Sequence, residues 1–129
     1  MVVDTSALVA ILREEPEGLA FERRLALAND PLISAATLFE CSMVQAKFDQ
    51  GLEDLDDFLL ATGIRIAAVD VAQAHAARDA WLRYGKGRSP AGLNFGDCFS
   101  YALAVTTGRP LLFKGDDFAQ TDVTPVTAA

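Results

Sequence analysis

The chain has 129 residues, 51% of them apolar and 22% charged; that is the size of one ordinary domain and excludes a disordered, collagen-like or coiled-coil chain. Its 18 acids outnumber its 11 bases for a net charge of −7, so the surface should repel nucleic acid unless the acids are gathered to hold divalent cations. Apolar runs such as Ala7–Leu12 and Ile66–Val69 fall far short of a membrane span, no basic segment precedes an apolar core as in a signal peptide, and Cys41 and Cys98 are too few for a disulfide framework. A single domain over residues 1–129, in a reducing cytoplasm and without a membrane partner, is the expectation.

In chain order, Met1–Val3 reads as a first strand and Thr5–Arg13 as a helix. Pro16 suits the first turn of a second helix running to about Ala28. Asn29, Asp30 and Pro31 form a turn signal before a short strand, Leu32–Ser34. Ala35–Gln50 predicts a helix stopped by Gly51, and Asp54–Ala61 another ended by Gly63. Ile64–Val69 is a second clear strand, after which Asp70 caps a helix over Val71–Tyr84. Gly85–Gly92 is a small-residue loop carrying Lys86 and Arg88. Cys98, Tyr101, Ala102 and Val105 fall on one face of a helix over Gly96–Thr106. Leu111–Phe113 is a third clear strand, and Val123–Val126 a weak last one whose Pro125 suits an edge. Short apolar strands alternating with helices are the pattern of a parallel sheet covered on both faces.

Ligands in such sheets bind beyond the carboxyl ends of the strands, and acids cluster there. Asp4 follows the first strand, Asp70 follows Ile64–Val69, and Asp116 and Asp117 follow the third strand. Asp97 lies in the first turn of its helix and Glu40 inside Ala35–Gln50. Glu40 is the most informative: its helical neighbours Ala36, Thr37, Met43 and Val44 include no base, so a carboxylate facing toward the core and needing a partner is expected, a surface glutamate beside small residues being the alternative. Asp4 has a plain structural role open to it as a helix cap, and Asp97 as a first-turn acid with Asn94 as N-cap. Asp70 looks much like Asp4 and is read as a cap alone. His75, the one histidine, lies mid-helix and suits the surface. No nucleophile elbow, zinc cluster or phosphate-binding glycine loop occurs.

With these acids in view, the chain resembles the PIN-domain ribonucleases, and among them the VapC-type toxins of type II toxin–antitoxin pairs. The resemblance runs through Asp4-Thr5-Ser6, through Thr37-Leu38-Phe39-Glu40, through Asn94-Phe95-Gly96-Asp97-Cys98-Phe99-Ser100-Tyr101, and through Lys114-Gly115-Asp116-Asp117-Phe118, in order along essentially the whole chain. It implies a three-layer α/β/α sandwich with a central, mostly parallel sheet of four or five strands. It implies an endoribonuclease dependent on Mg²⁺ or Mn²⁺, with Asp4, Glu40, Asp97 and a fourth acid as catalytic metal ligands. Asp116 or Asp117 could be that fourth acid, and Asp117 is favoured because the Asp-Phe pair is the steadier part of the phrase. Thr5, Ser6 and Asn94 match polar residues that line the family's site. Carboxylates suit hard cations, and attack by a metal-activated water would leave 5′-phosphate and 3′-hydroxyl ends without any histidine.

RNA contacts beyond the metals are expected from Arg83, Lys86 and Arg88, which flank the flexible loop, with Tyr84 as a stacking platform; an ordinary charged loop is the alternative. The resemblance further implies a VapB-type antitoxin that inserts a segment among the acids, and a homodimer. Thr5–Arg13, Pro16–Ala28 and Ala35–Gln50 would build the dimer contact, with Phe21, Leu25, Leu38 and Phe48 as candidates that could equally be core. Two other function classes share the α/β pattern. A phosphoacceptor receiver module would use a lysine after a late strand, here Lys114, but Asp54, Asp56 and Asp57 have no strand end to hold a phosphoacceptor. A haloacid-dehalogenase-type phosphatase would need a second aspartate where Ser6 stands.

Overall fold

The computed structural model describes residues 1–126. Strand β1 (Val2–Val3) leads into helix α1 (Thr5–Leu12) and α2 (Gly18–Leu27). Next come β2 (Leu32–Ser34), α3 (Ala35–Gln45), α4 (Gly51–Thr62) and β3 (Arg65–Ala67). The chain closes with α5 (Val71–Tyr84), α6 (Phe95–Thr107), β4 (Leu111–Leu112) and a 3₁₀ turn over Phe118–Gln120. The strands lie in the order β3-β2-β1-β4, all parallel.

Side-chain alternation along these strands sets the layers. Val2, Leu32 and Leu111 pack with Ala77, Ala80, Tyr101 and Leu103 of α5 and α6. Val3, Ile33 and Leu112 point the other way, against Leu8, Ile11, Leu25, Cys41 and Leu55 of α1 to α4. Helices therefore cover both faces of the sheet, as the α/β/α expectation requires. The last segment adds one parallel bridge, Leu111 to Pro125, held by the N–H of Leu111 on the Thr124 carbonyl and that of Val126 on Leu111. Pro125 needs no donor there, which is why proline is tolerated at this margin. No helix among the described residues is long and apolar enough to cross a membrane.

Several boundaries differ from the sequence reading, each for a packing reason. Helix α3 stops at Gln45 rather than Gln50, because Gln45 is fully buried and Gly51 closes against it. A Cβ on Gly51 would stand 1.8 Å from the Gln45 carbonyl oxygen, so Gly51 opens α4 instead of merely stopping α3. The strands are shorter than their apolar runs. Ser34 is already the N-cap of α3, so β2 offers β3 only three partners, Leu32, Ile33 and Ser34; Asp4 likewise ends β1 and leaves β4 two. Helix α2 begins at Gly18, two residues past Pro16, where glycine alone fits beneath the Ala10 carbonyl.

From β1 the chain moves to β2 and then β3 on one side, and returns by α5 and α6 to β4 on the other. The crevice at the carboxyl ends of β1 and β4 is thus the topological switch point of the sheet, where this architecture binds ligands.

Candidate active site

Asp4 sits at that point. Its N–H donates to the Leu112 carbonyl across the sheet at 3.0 Å, and its carboxylate caps α1 by accepting from the Ser6 N–H at 3.0 Å. The same oxygen, Oδ2, accepts from the Ser6 hydroxyl at 2.7 Å, while Oδ1 accepts from the Ser100 hydroxyl at 2.5 Å. Asp4 is only 3% exposed. It does the capping expected of it, but far more donors converge on it than a cap requires.

Glu40 comes in from α3 and finds the partner its apolar surroundings demand: the Thr5 hydroxyl donates to Oε1 at 2.6 Å. Its carboxylate lies over Gly96 so closely that a Cβ there would stand 1.9 Å from Oε2. Gly96 is therefore needed for its missing side chain. Asp97, at the start of α6, shares a capping box with Asn94: the Asp97 N–H donates to Asn94 Oδ1 at 2.8 Å, and Asp97 Oδ2 accepts the Asn94 N–H at 3.0 Å. That pairing satisfies two helix-end donors and also fixes where the Asp97 carboxylate stands.

A cleft of about 320 Å³ joins these groups, lined by Asp4, Thr5, Ser6, Glu15, Glu40, Asn94, Asp97 and Lys114. Burial pushes the Asp97 carboxyl up to about 7; the Asn94 N–H opposes this, while the charges of Asp4, Glu40 and Asp117 add to it. Glu40 is also raised, first by burial, with Asp4 adding and the Thr5 hydrogen bond opposing. The acids are thus close enough to repel one another. Asp117 belongs to that field, whereas both it and Asp116 are exposed on the loop after β4, where the Asp116 carbonyl accepts from Gln120. Lys114, not singled out as a site residue, stands on the cleft wall with its Nζ on Glu15 at 2.7 Å and Glu17 at 3.3 Å.

The PIN domain family matches residues 1–123. A ribonuclease VapC of Mycolicibacterium smegmatis is 52% identical over 98% of this chain and 99% of its own. The ribonuclease VapC30 of Mycobacterium tuberculosis is 48% identical over 98% of each chain. This chain is a PIN-domain protein of the VapC family. Solved structures agree on the fold: VapC20 of Mycobacterium tuberculosis, a toxin cleaving the sarcin–ricin loop, superposes with a TM-score of 0.79 at 20% identity over 98% of both chains. A toxin–antitoxin complex from Klebsiella pneumoniae gives 0.71 at 21% identity, again over 98% of both.

Within this PIN domain the structure gathers Asp4, Glu40, Asp97, Thr5, Ser6 and Asn94 in one cleft, with Asp117 contributing to its field. The hydroxyls of Thr5 and Ser6 donate to the Glu40 and Asp4 carboxylates, and the Asn94 backbone N–H donates to the Asp97 carboxylate while the Asn94 side chain caps the helix. Arg83, Lys86 and Arg88 lie outside the cleft lining. Arg83 is held by Asp79, Asp122 and the Tyr84 hydroxyl. Arg88 lies over the Trp81 ring and donates to the Leu82 carbonyl, and the Lys86 N–H donates to the Leu93 carbonyl. Sequence reasoning passed over Ser100, although it stands three residues after Asp97 and so shares its helix face. Asp54, Asp56 and Asp57 sit on α4, with no strand end beside them, which removes the receiver reading. Burial raises both thiols, Cys41 to about 12 and Cys98 to about 11, so they are packing groups rather than nucleophiles.

The residues present fit a hard divalent cation. Every candidate donor is a carboxylate oxygen, and the acids repel each other in the absence of a counter-charge. Among the described residues, no three acid, histidine or cysteine side chains converge tightly enough to cage an ion alone. Mg²⁺ commonly keeps several waters and takes one or two protein carboxylates.

Proposed function

We propose that the cleft is the active site of a Mg²⁺- or Mn²⁺-dependent endoribonuclease, and that the protein is the toxin of a toxin–antitoxin pair. The observation that carries this reading is the convergence of Asp4, Glu40 and Asp97 in one cleft at the switch point, where burial first, and then the charges of Asp4, Glu40 and Asp117, raise Asp97 to about 7. Ribonuclease relatives at about half identity over nearly the whole chain support it.

In this reading Asp4, Glu40, Asp97 and Asp117 would hold one or two ions, which when bound would supply an activated water and neutralise the charge developing on the scissile phosphodiester. The chain's own groups do the aiming. Thr5 fixes the Glu40 carboxylate, Ser6 and Ser100 fix Asp4, and the Asn94 cap fixes Asp97. Gly96 leaves room for Glu40 beside the helix start. The ions also reconcile a net charge of −7 with a polyanionic substrate, because they turn an acidic hole into an attractive one. Lys114 adds a positive group on the same wall.

The partner is an antitoxin, a reading supported by the Klebsiella pneumoniae toxin–antitoxin complex and the Rickettsia felis VapBC2 structure among the fold relatives. The chain works as a single domain in the cytoplasm and pairs with a second copy of itself. The test is cleavage of a structured RNA with Mg²⁺ or Mn²⁺ against the same reaction in EDTA. Metal-dependent products carrying 5′-phosphate ends, lost in Asp97→Asn, are expected; metal-independent cleavage, or none at all by the purified toxin, overturns the reading.

A further inference from the structure

Three mutually repelling carboxylates need something other than the cation to hold their spacing while the cleft is empty of it. Asp4 directly follows β1, Glu40 lies on α3 and Asp97 on α6, so the spacing depends on how those three elements are locked together. A chain of buried hydroxyls does this. The Ser100 hydroxyl donates to Asp4 Oδ1 at 2.5 Å, and Thr37 Oγ1 lies 3.1 Å from Ser100 Oγ. Both Thr37 and Ser100 are wholly buried. An ionised carboxylate only accepts hydrogen bonds, so the single Ser100 proton is committed to Asp4. Thr37 must then be the donor to Ser100, and the relay runs Thr37 to Ser100 to Asp4.

The spacing of these residues gives the relay its consequence. Thr37 lies three residues before Glu40 on α3, and Ser100 three after Asp97 on α6; residues so spaced share a helix face. Each hydroxyl is thus rigidly tied to one acid and bonded toward another. On its other oxygen Asp4 is served by the Ser6 hydroxyl, which itself accepts the Lys114 N–H at 3.0 Å.

We propose that Ser100 is a positioning residue for the metal-binding carboxylate of Asp4, and that Thr37 holds Ser100 in place, so that the two hydroxyls gauge the separation of Asp4, Glu40 and Asp97. This rests on the reading of the cleft as a divalent-metal site. Orienting partners of metal-ligating carboxylates act on affinity without touching the ion.

The test is Mn²⁺ binding, read from the loss of the free-ion paramagnetic resonance signal, in the wild type, Ser100→Ala, Thr37→Val and the double variant, with melting curves alongside. Ser100→Ala should bind Mn²⁺ about tenfold more weakly. Thr37→Val, which keeps shape and removes the donor, should show a smaller loss. The double variant should match Ser100→Ala, since the effect of Thr37 passes through Ser100. In RNA cleavage, kcat lost at limiting Mn²⁺ should return at high Mn²⁺ with KM for RNA unchanged. A lowered melting temperature with wild-type Mn²⁺ affinity would make the hydroxyls packing groups only and overturn the proposal; so would additive losses in the double variant. Should Ser100→Ala fail to fold, unchanged affinity in Thr37→Val overturns it equally. A wild type that neither binds Mn²⁺ nor cleaves RNA would instead remove the metal-site reading itself.

Discussion

Asp97 has two duties that pull in opposite directions: it caps α6 with Asn94, and it stands in the repulsive field of Asp4, Glu40 and Asp117. Its carboxyl is raised to about 7, first by burial, so the folded protein holds a proton that the unfolded chain has lost above about pH 4. The native state therefore binds more protons than the unfolded one across that interval, and stability falls as pH rises from about 4 to about 7; Glu40, also raised, acts in the same sense. Metal-free protein should melt higher at pH 5 than at pH 8. Asp97→Asn, which keeps an acceptor for the Asn94 N–H, should flatten that difference while abolishing RNA cleavage; an unchanged pH profile in the variant would place the repulsion elsewhere. Mg²⁺ or Mn²⁺ should raise the melting temperature by binding only the folded form, and Asp4→Asn should shrink that rise. Asp70→Ala should lower the baseline by about 1 kcal/mol, the worth of a lost cap, and leave the metal response intact. Locally the two aspartates look alike, and both do cap helices, Asp4 through the Ser6 N–H and Asp70 through the Gln73 N–H at 2.9 Å. What separates them is topology. Asp4 ends a central strand beside α6, whereas exposed Asp70 follows an edge strand; no local pattern around either residue carries that information.

At the scale of elements, the start of α6 is where local and site demands part. Alanine is the better helix former than glycine by about 1 kcal/mol, yet at position 96 a Cβ would meet the Glu40 carboxylate. The clashing group is the free end of a side chain, so the fold can yield, but only by moving Glu40 from its place. Gly96→Ala should keep or gain thermal stability and lose on the order of a hundredfold in cleavage, as displacement of a catalytic group by about an ångström can cost; thermal melts and single-turnover cleavage on the same preparation decide it. The helices and strands themselves were legible, since apolar periodicity and the caps Asp4, Asp70 and Asn94 mark them directly. Their ends were less so. Gly51 looked like a stop after Gln50 and is instead the first residue of α4, because its lack of a Cβ answers to the buried Gln45 backbone five residues inside the expected helix. The acids stood out because charge on an apolar stripe is anomalous, whereas Ser100 and Thr37 are ordinary helix residues until the three elements are brought together. Arg83 illustrates the converse: a base beside a loop suggested substrate, but Asp79 and Asp122, the latter from the distant C-terminal segment, take up its donors.

At the scale of the whole molecule, exposed apolar side chains occur on several elements, Leu27 on α2 and Leu60 on α4 among them. Of the residues expected at a dimer contact, Leu25 is buried at 4% exposure, Phe21 and Leu38 pack on the core of the α1 to α4 layer, and the Arg13 guanidinium lies 3.6 Å over the Phe48 ring. Those side chains already have partners. The exposed ones on α3 and α6, Phe39 at 68%, Met43 at 58% and Phe95 at 81%, differ in standing side by side. They line a groove of about 470 Å³ that borders Glu40 and Asn94 of the active cleft. A second groove of about 400 Å³, lined by Trp81, Phe95 and Phe99, continues from it toward α5. Phe95 packs edge-on against Phe99 with ring centroids 5.0 Å apart and projects beside the groove. An exposed aromatic beside its own groove suits an isologous contact, each copy offering the knob and the hole. Pairing through α3 and α6 would set two acid clefts side by side and lengthen the track available to RNA. Sedimentation at micromolar concentration should therefore give a mass near twice 13.8 kDa, and Phe95→Glu should shift it to the monomer without loss of the folded circular-dichroism signal. Cleavage by that monomer should weaken mainly through KM, since the acids of each cleft come from one chain. A wild type that sediments as a monomer and still cleaves RNA would remove the pairing and leave the chemistry of the cleft untouched.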